Sequence, residues 1–152
     1  MGFNRGKDFE RETANLVNTK EEPHRGIRVI MSGAVGTITG NAYYAGDAVW
    51  KLPWLNREIR IECKHGYDRS KTDAKSMTIF KDWFDKHIEQ AKAFNFLPVW
   101  AFKFKFTQQN GMSKMVVVPF PVMKEIITQV DNIYLELEEL RAENEKLRKV
   151  KK

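Results

Sequence analysis

A chain of 152 residues that is 42% hydrophobic, 30% charged and has a single cysteine can bury one self-standing core. It excludes a disulfide scaffold, a Cys-only zinc site and a disordered polyelectrolyte. Lys and Arg number 26 against 20 Asp and Glu, a formal charge of +6 that suggests a polyanionic partner.

Residues 8–18 are predicted to be helical, because Phe9, Thr13, Leu16 and Val17 form an apolar stripe at helical spacing. Glu10 and Glu12 fall in its first turn, where carboxylates suit the helix dipole. Pro23 lies in the polar run that ends the helix. Residues 27–31 and 45–50 read as strands, separated by a glycine-punctuated loop that begins Ser32-Gly33-Ala34. Residues 58–64 (Glu-Ile-Arg-Ile-Glu-Cys-Lys) alternate polar and apolar, as a strand does.

A polar, irregular stretch over 65–76 precedes a second helix over 79–94, with Phe80, Trp83, Phe84, Ile88, Ala91 and Phe94 on one broad face. Residues 98–106 alternate again, Asn110-Gly111 signals a turn, and 115–118 is the partner strand. Pro121 suits the first turn of a last helix that runs to the C-terminus. This order of elements predicts a mixed α/β domain with a central sheet flanked by helices. No apolar run approaches a membrane span, and Met1 to Arg11 is too charged for a signal peptide. A cytoplasmic protein with no membrane partner is expected.

The tail carries apolar residues at alternating steps of three and four: Val130, Ile133, Leu137, Leu140, then Asn144, then Leu147. Leu140 and Leu147 take heptad position d, and Val130, Leu137 and Asn144 take position a. A lone Asn at a specifies a two-stranded, parallel, in-register coiled coil. Glu136 and Glu143 at g face Arg141 and Arg148 at e of the partner. A homodimer paired through Leu137, Leu140, Asn144 and Leu147 is expected; the alternative is an amphipathic helix folded back on its own domain. After residue 130 six acids and six bases cancel, which leaves 20 bases and 14 acids in the first 130 residues. The whole net charge belongs to the α/β domain.

Asp47 lies in the second strand candidate, and Glu62 and Lys64 end the third, two residues apart and so on one face of it. Hydrolysis of a phosphodiester asks for this set. Two carboxylates suit Mg2+, a metal that prefers hard oxygen ligands, and a neighbouring lysine offsets charge that develops on the phosphate. Glu-x-Lys alone is common as a cross-strand ion pair. Asp47 in a strand, where Asp is disfavoured, and the basic domain around it strengthen the functional reading.

Five segments in order, Gly-Lys-Asp-Phe-Glu-Arg-Glu (6–12), Arg25, Ser-Gly-Ala (32–34), Gly-Asp-Ala-Val (46–49) and Ile-Glu-Cys-Lys (61–64), resemble the archaeal-type Holliday junction resolvases. That group lies within the restriction-endonuclease-like PD-(D/E)XK nuclease superfamily. The resemblance covers about residues 5–106 and implies a restriction-endonuclease-like fold. It implies that Asp47 and Glu62 are metal-binding carboxylates, that the Cys63 backbone carbonyl completes the metal site, and that Lys64 positions the attacking water. It further implies that Glu10 is an additional acid that can also reach the metal, that Ser32 is a loop serine reaching the site, and that Arg25 is a basic residue ahead of it. Three features depart from the pattern. Gly46 stands where the family usually has Pro before the Asp, the loop from Gly36 to Gly46 is long, and the zipper tail lies outside the pattern, pointing to a phage-borne or otherwise divergent version.

Other readings of these residues are plainer. Ser32 is a turn residue in most glycine-rich loops. Cys63 reads as a small buried residue and not a nucleophile. The ladder Trp100, Phe102, Phe104 and Phe106 reads as core or dimer interface before it reads as a base-stacking platform. Arg5, Lys7, Arg25, Arg28, Lys71 and Lys103 are the candidate DNA contacts, through phosphate.

The sequence is thus read as a nuclease domain over 1–120 and a C-terminal helix over 121–152 that carries the dimerisation segment. The expected activity is Mg2+-dependent resolution of four-way DNA junctions by a homodimer, with Mn2+ substituting and no small-molecule cofactor. The alternatives are a related nuclease acting on ordinary duplex or other branched DNA, and a zipper-bearing DNA-binding protein without catalysis. A basic-zipper factor needs a basic helix ahead of the zipper, and residues 121–131 hold only Lys124.

Overall fold

The computed structural model describes residues 5–29, 45–65, 79–103 and 114–150. The elements are α1 (Arg5–Asn15), β1 (Gly26–Arg28), β2 (Ala48–Trp50), β3 (Ile59–His65), α2 (Lys81–Phe94), β4 (Leu97–Lys103), β5 (Lys114–Val117) and α3 (Phe120–Val150). This is the order expected from the sequence. The serine loop, residues 66–76, Phe104, Phe106 and the Asn110-Gly111 turn lie outside the described residues.

The strands form one five-stranded sheet in the order β1-β2-β3-β4-β5. Only β3 and β4 run parallel, joined by the crossover through α2; the other three pairings are antiparallel. Six of the seven β4 residues are buried, so this strand is covered on both faces. On one face Ile59, Ile61, Leu97, Val99 and Ala101 pack against Phe9 and Ala14 of α1 and Val122 of α3. On the other, α2 covers Trp100, against which Phe84 and His87 lie at ring-centroid distances of 4.5 and 5.2 Å. Trp100 and Phe102 are fully buried, so the described part of the aromatic ladder is core.

The ends of α1 differ from the sequence expectation. The helix stops at Asn15 and leaves Leu16 exposed. The cause is local. Asn18 Oδ1 accepts the Gly26 N–H at 2.6 Å, and its Nδ2 donates to the Gly26 carbonyl at 3.1 Å, which draws the chain off the helix axis and onto β1. Trp50 Nε1 then donates to the Thr13 carbonyl at 2.9 Å and clamps the helix to β2. α2 ends at Asn95, whose left-handed backbone (φ 54°) turns the chain into β4. Among the described residues no helix is long and apolar enough to cross a membrane.

Gly26 is where α1 and β1 touch. A Cβ there would lie 1.7 Å from the Ala14 carbonyl oxygen, a backbone atom that cannot swing aside. Gly26→Ala is therefore expected to destabilise the protein by about 3 kcal/mol, the upper range for overpacking a tight site. Urea denaturation followed by tryptophan fluorescence measures this.

Candidate active site

β2 and β3 part at Asp47, which lies one residue before β2 and not inside the strand as the sequence suggested. Gly46 causes the divergence. Its φ of +74° is a left-handed conformation, and a Cβ there would press on the Ile61 backbone at 3.2 Å. Proline, with φ held near −65°, cannot occupy this position, so the departure from the usual Pro-Asp pair has a conformational reason. Asp47 still holds the sheet: its N–H donates to the Ile61 carbonyl at 2.7 Å, and its carbonyl accepts the Val29 N–H at 2.9 Å. Its Oδ2 accepts the Cys63 N–H at 2.8 Å.

Glu62 and Lys64 leave β3 on the α2 face, and the Lys64 ammonium is hydrogen-bonded to Glu62 Oε1. The lysine Nζ lies 5.4 Å from the centroid of the Trp83 ring, a cation–π contact that holds it on that face. Beneath them His87 is buried, and its Nε2 lies 2.9 Å from the Arg60 carbonyl. Burial pulls the His87 pKa down, so the ring is neutral. Cys63 leaves β3 on the opposite face, toward α1.

Glu10, on α1, accepts the Arg28 Nε–H at 2.7 Å. Glu10, Asp47 and Glu62 act together on the Cys63 thiol. Burial first, then the negative charge of Asp47, with those of Glu10 and Glu62, pushes its pKa up to about 12. The thiol is protonated and cannot act as a nucleophile.

Among the described residues, no three His, Cys, Asp or Glu side chains stand close enough together to hold a metal ion. Asp47 is satisfied by a backbone amide and Glu62 by Lys64. In kind, the donors fit a hard divalent cation: one carboxylate just ahead of β2, one on β3, and the Cys63 carbonyl between Glu62 and Lys64.

The other candidates are placed as follows. Lys7 is exposed on α1. Arg5 lies in the first turn of α1. Arg25 pairs with Glu22 at 3.6 Å. Lys103 donates to Glu12 at 3.0 Å, and Glu12 also binds Lys114. Ser32 and Lys71 lie outside the described residues.

Two residues near the site were not singled out from the sequence. Trp83 read only as part of an apolar helix face. Arg60 is buried, donates to the Ala45 carbonyl at 3.1 Å and lies over Phe96, so it grips the backbone just ahead of Gly46 and Asp47. A charged residue between two isoleucines of a buried strand was the available signal.

The sheet with its Asp47, Glu62 and Lys64 has the plan of the PD-(D/E)XK nucleases, a superfamily whose members generally use divalent metal ions. A family model described as "Phage putative PDDEXK endonuclease" matches residues 3–151, and the chain belongs to that family. The match names the nuclease class and a phage lineage, with no junction specificity. It runs through α3, so the tail that lies outside the resolvase pattern lies inside this one. No curated protein matches the chain.

The raised thiol pKa has a direct consequence. Native Cys63 is expected to resist iodoacetamide at mildly alkaline pH and to alkylate readily once urea unfolds the chain, with mass spectrometry as the readout. Rapid labelling of the folded protein would contradict the packing described.

Proposed function

We propose that this protein is a divalent-metal-dependent endonuclease that resolves four-way DNA junctions as a homodimer, with Mg2+ as the metal and Mn2+ able to substitute. The observation that carries the nuclease reading is geometric: Asp47 is hydrogen-bonded through Oδ2 to the Cys63 N–H, between Glu62 and Lys64, which are themselves paired at the end of β3. The junction reading is supported by the resolvase-like segment of α1, whose Glu10 pairs with Arg28.

Asp47, Glu62 and the Cys63 carbonyl would hold the cation, which when bound polarises the scissile phosphate and lowers the pKa of its water. Lys64 orients the attacking water by hydrogen bonding and offsets negative charge growing on the phosphate oxygens. Trp83 restricts where the ammonium can go, and the neutral His87 supports the strand from below without adding charge. Arg28 balances Glu10, so the acid group can approach a polyanion. Lys7 and Arg25 are the surface cations proposed to meet phosphate. Resolution needs two nicks on opposed strands, which a two-fold enzyme supplies in one encounter. The place of action we infer is the host cytoplasm.

The test compares a synthetic four-way junction with linear duplex, in Mg2+ and in EDTA. Paired nicks near the branch point are expected in Mg2+ only. Lys64→Ala should lower kcat by about 10²–10³-fold. Asp47→Asn should abolish cleavage and leave gel-shift binding to the junction intact. Equal cutting of linear duplex would overturn junction selectivity in favour of a general duplex nuclease. Normal cleavage by Asp47→Asn would overturn the metal site.

A further inference from the structure

The last helix leaves the body of the protein with an apolar stripe that no part of the described chain covers. Its first turns are anchored. Val122 is buried, Ile126 packs against the core, Arg57 makes a two-pronged ion pair with Glu125, and the Asn56 N–H donates to Gln129 Oε1 at 2.9 Å. Beyond Gln129 the helix continues without a break to Val150. Leu137, Leu140 and Leu147 are 42%, 56% and 54% exposed, so the helix is not folded back onto its own domain. Three exposed leucines along one helical seam are what a second helix would cover.

The charges beside the seam select the occupant and its direction. Both g positions in the free segment are acidic, Glu136 and Glu143, and the e positions that follow them are basic, Arg141 and Arg148. In a parallel pair each g faces an e of the other helix, and opposite charges meet. In an antiparallel pair g faces g and e faces e, so glutamates meet glutamates and arginines meet arginines. Within one helix these four charges do not pair among themselves: Arg141 bonds Glu138 on the outer surface. Asn144, the only polar seam residue of the segment, donates to the Leu140 carbonyl of its own helix. It would face an identical amide only in a parallel pair in register.

We propose that residues 130–150 pair with the same segment of a second copy of this chain as a parallel, in-register, two-stranded coiled coil. Because α3 is pinned to its domain up to Gln129, both globular domains then sit at the same end of the coil, related by a two-fold axis along it. This surface stands on the helix alone and does not rest on the nuclease reading.

Sedimentation equilibrium of the full-length protein, without DNA or metal, tests it. The wild type is expected to be a dimer at tens of micromolar. The double variant Glu136→Lys/Glu143→Lys makes all four charged flank positions basic, and Arg141→Glu/Arg148→Glu makes all four acidic. Each alone should lose the dimer while circular dichroism shows the domain still folded, and an equimolar mixture of the two should recover it as a heterodimer. A monomeric wild type, a trimer or tetramer, a dimer that both variants leave unchanged, or a mixture that stays monomeric would each overturn the proposal.

Discussion

The hydrogen bond from the Cys63 N–H to the Asp47 carboxylate, 2.8 Å long, sits where β2 and β3 part, and the rest of the site is arranged around it. Two neighbouring strands that diverge leave backbone donors without a ladder partner, and a buried donor must be satisfied. Here a side-chain carboxylate does so. The same contact fixes Asp47 against the residue that separates Glu62 from Lys64. Gly46 makes the divergence possible through its positive φ, and Arg60 holds the Ala45 carbonyl just upstream. Behind them β3 is paired along its whole length with β4, a strand buried on both faces, so the two motif residues are carried on the central strand of the sheet.

Charge is organised in opposed layers around this point. Three carboxylates are each accompanied by a donor: Arg28 for Glu10, the Cys63 amide for Asp47, Lys64 for Glu62. Outside them the domain carries the whole net positive charge of the chain. Carboxylates that are locally compensated, on a basic body, can approach DNA and still offer oxygen ligands to a cation, which is the combination the proposed function requires. The tail carries no net charge and places its own charges in two rows along the helix, where they bear on pairing.

Much of this was legible before any coordinates. The alternation of residues 58–64 located β3 and placed Glu62 and Lys64 on one face, because a strand has a period of two. The aromatic spacing over 79–94 located α2, and Pro121 fell in the first turn of α3 as its lost N–H allows. What could not be read depended on contacts distant in sequence. The early stop of α1 comes from Asn18 pairing with Gly26, which no helical periodicity encodes. The placement of Asp47 ahead of β2 comes from a backbone angle at Gly46 that fits because Ile61 lies against it. The role of Trp83 exists only once α2 is folded over β3, and that of Arg60 only once Ala45 and Phe96 are brought against it. Five segments carry the family resemblance because each is local: residues 6–12, Arg25, Ser-Gly-Ala (32–34), Gly-Asp-Ala-Val (46–49) and Ile-Glu-Cys-Lys (61–64).

The central claim is that Asp47 and Glu62 form one acidic centre for a divalent cation. Calorimetric titration of Mn2+ into the free protein, with no DNA present, tests it most directly. The account predicts saturable binding of one ion per chain that is lost in Asp47→Asn and in Glu62→Gln, while Lys64→Met, which frees Glu62 from its ammonium partner, binds at least as tightly as the wild type. Unchanged Mn2+ affinity in Asp47→Asn would contradict it.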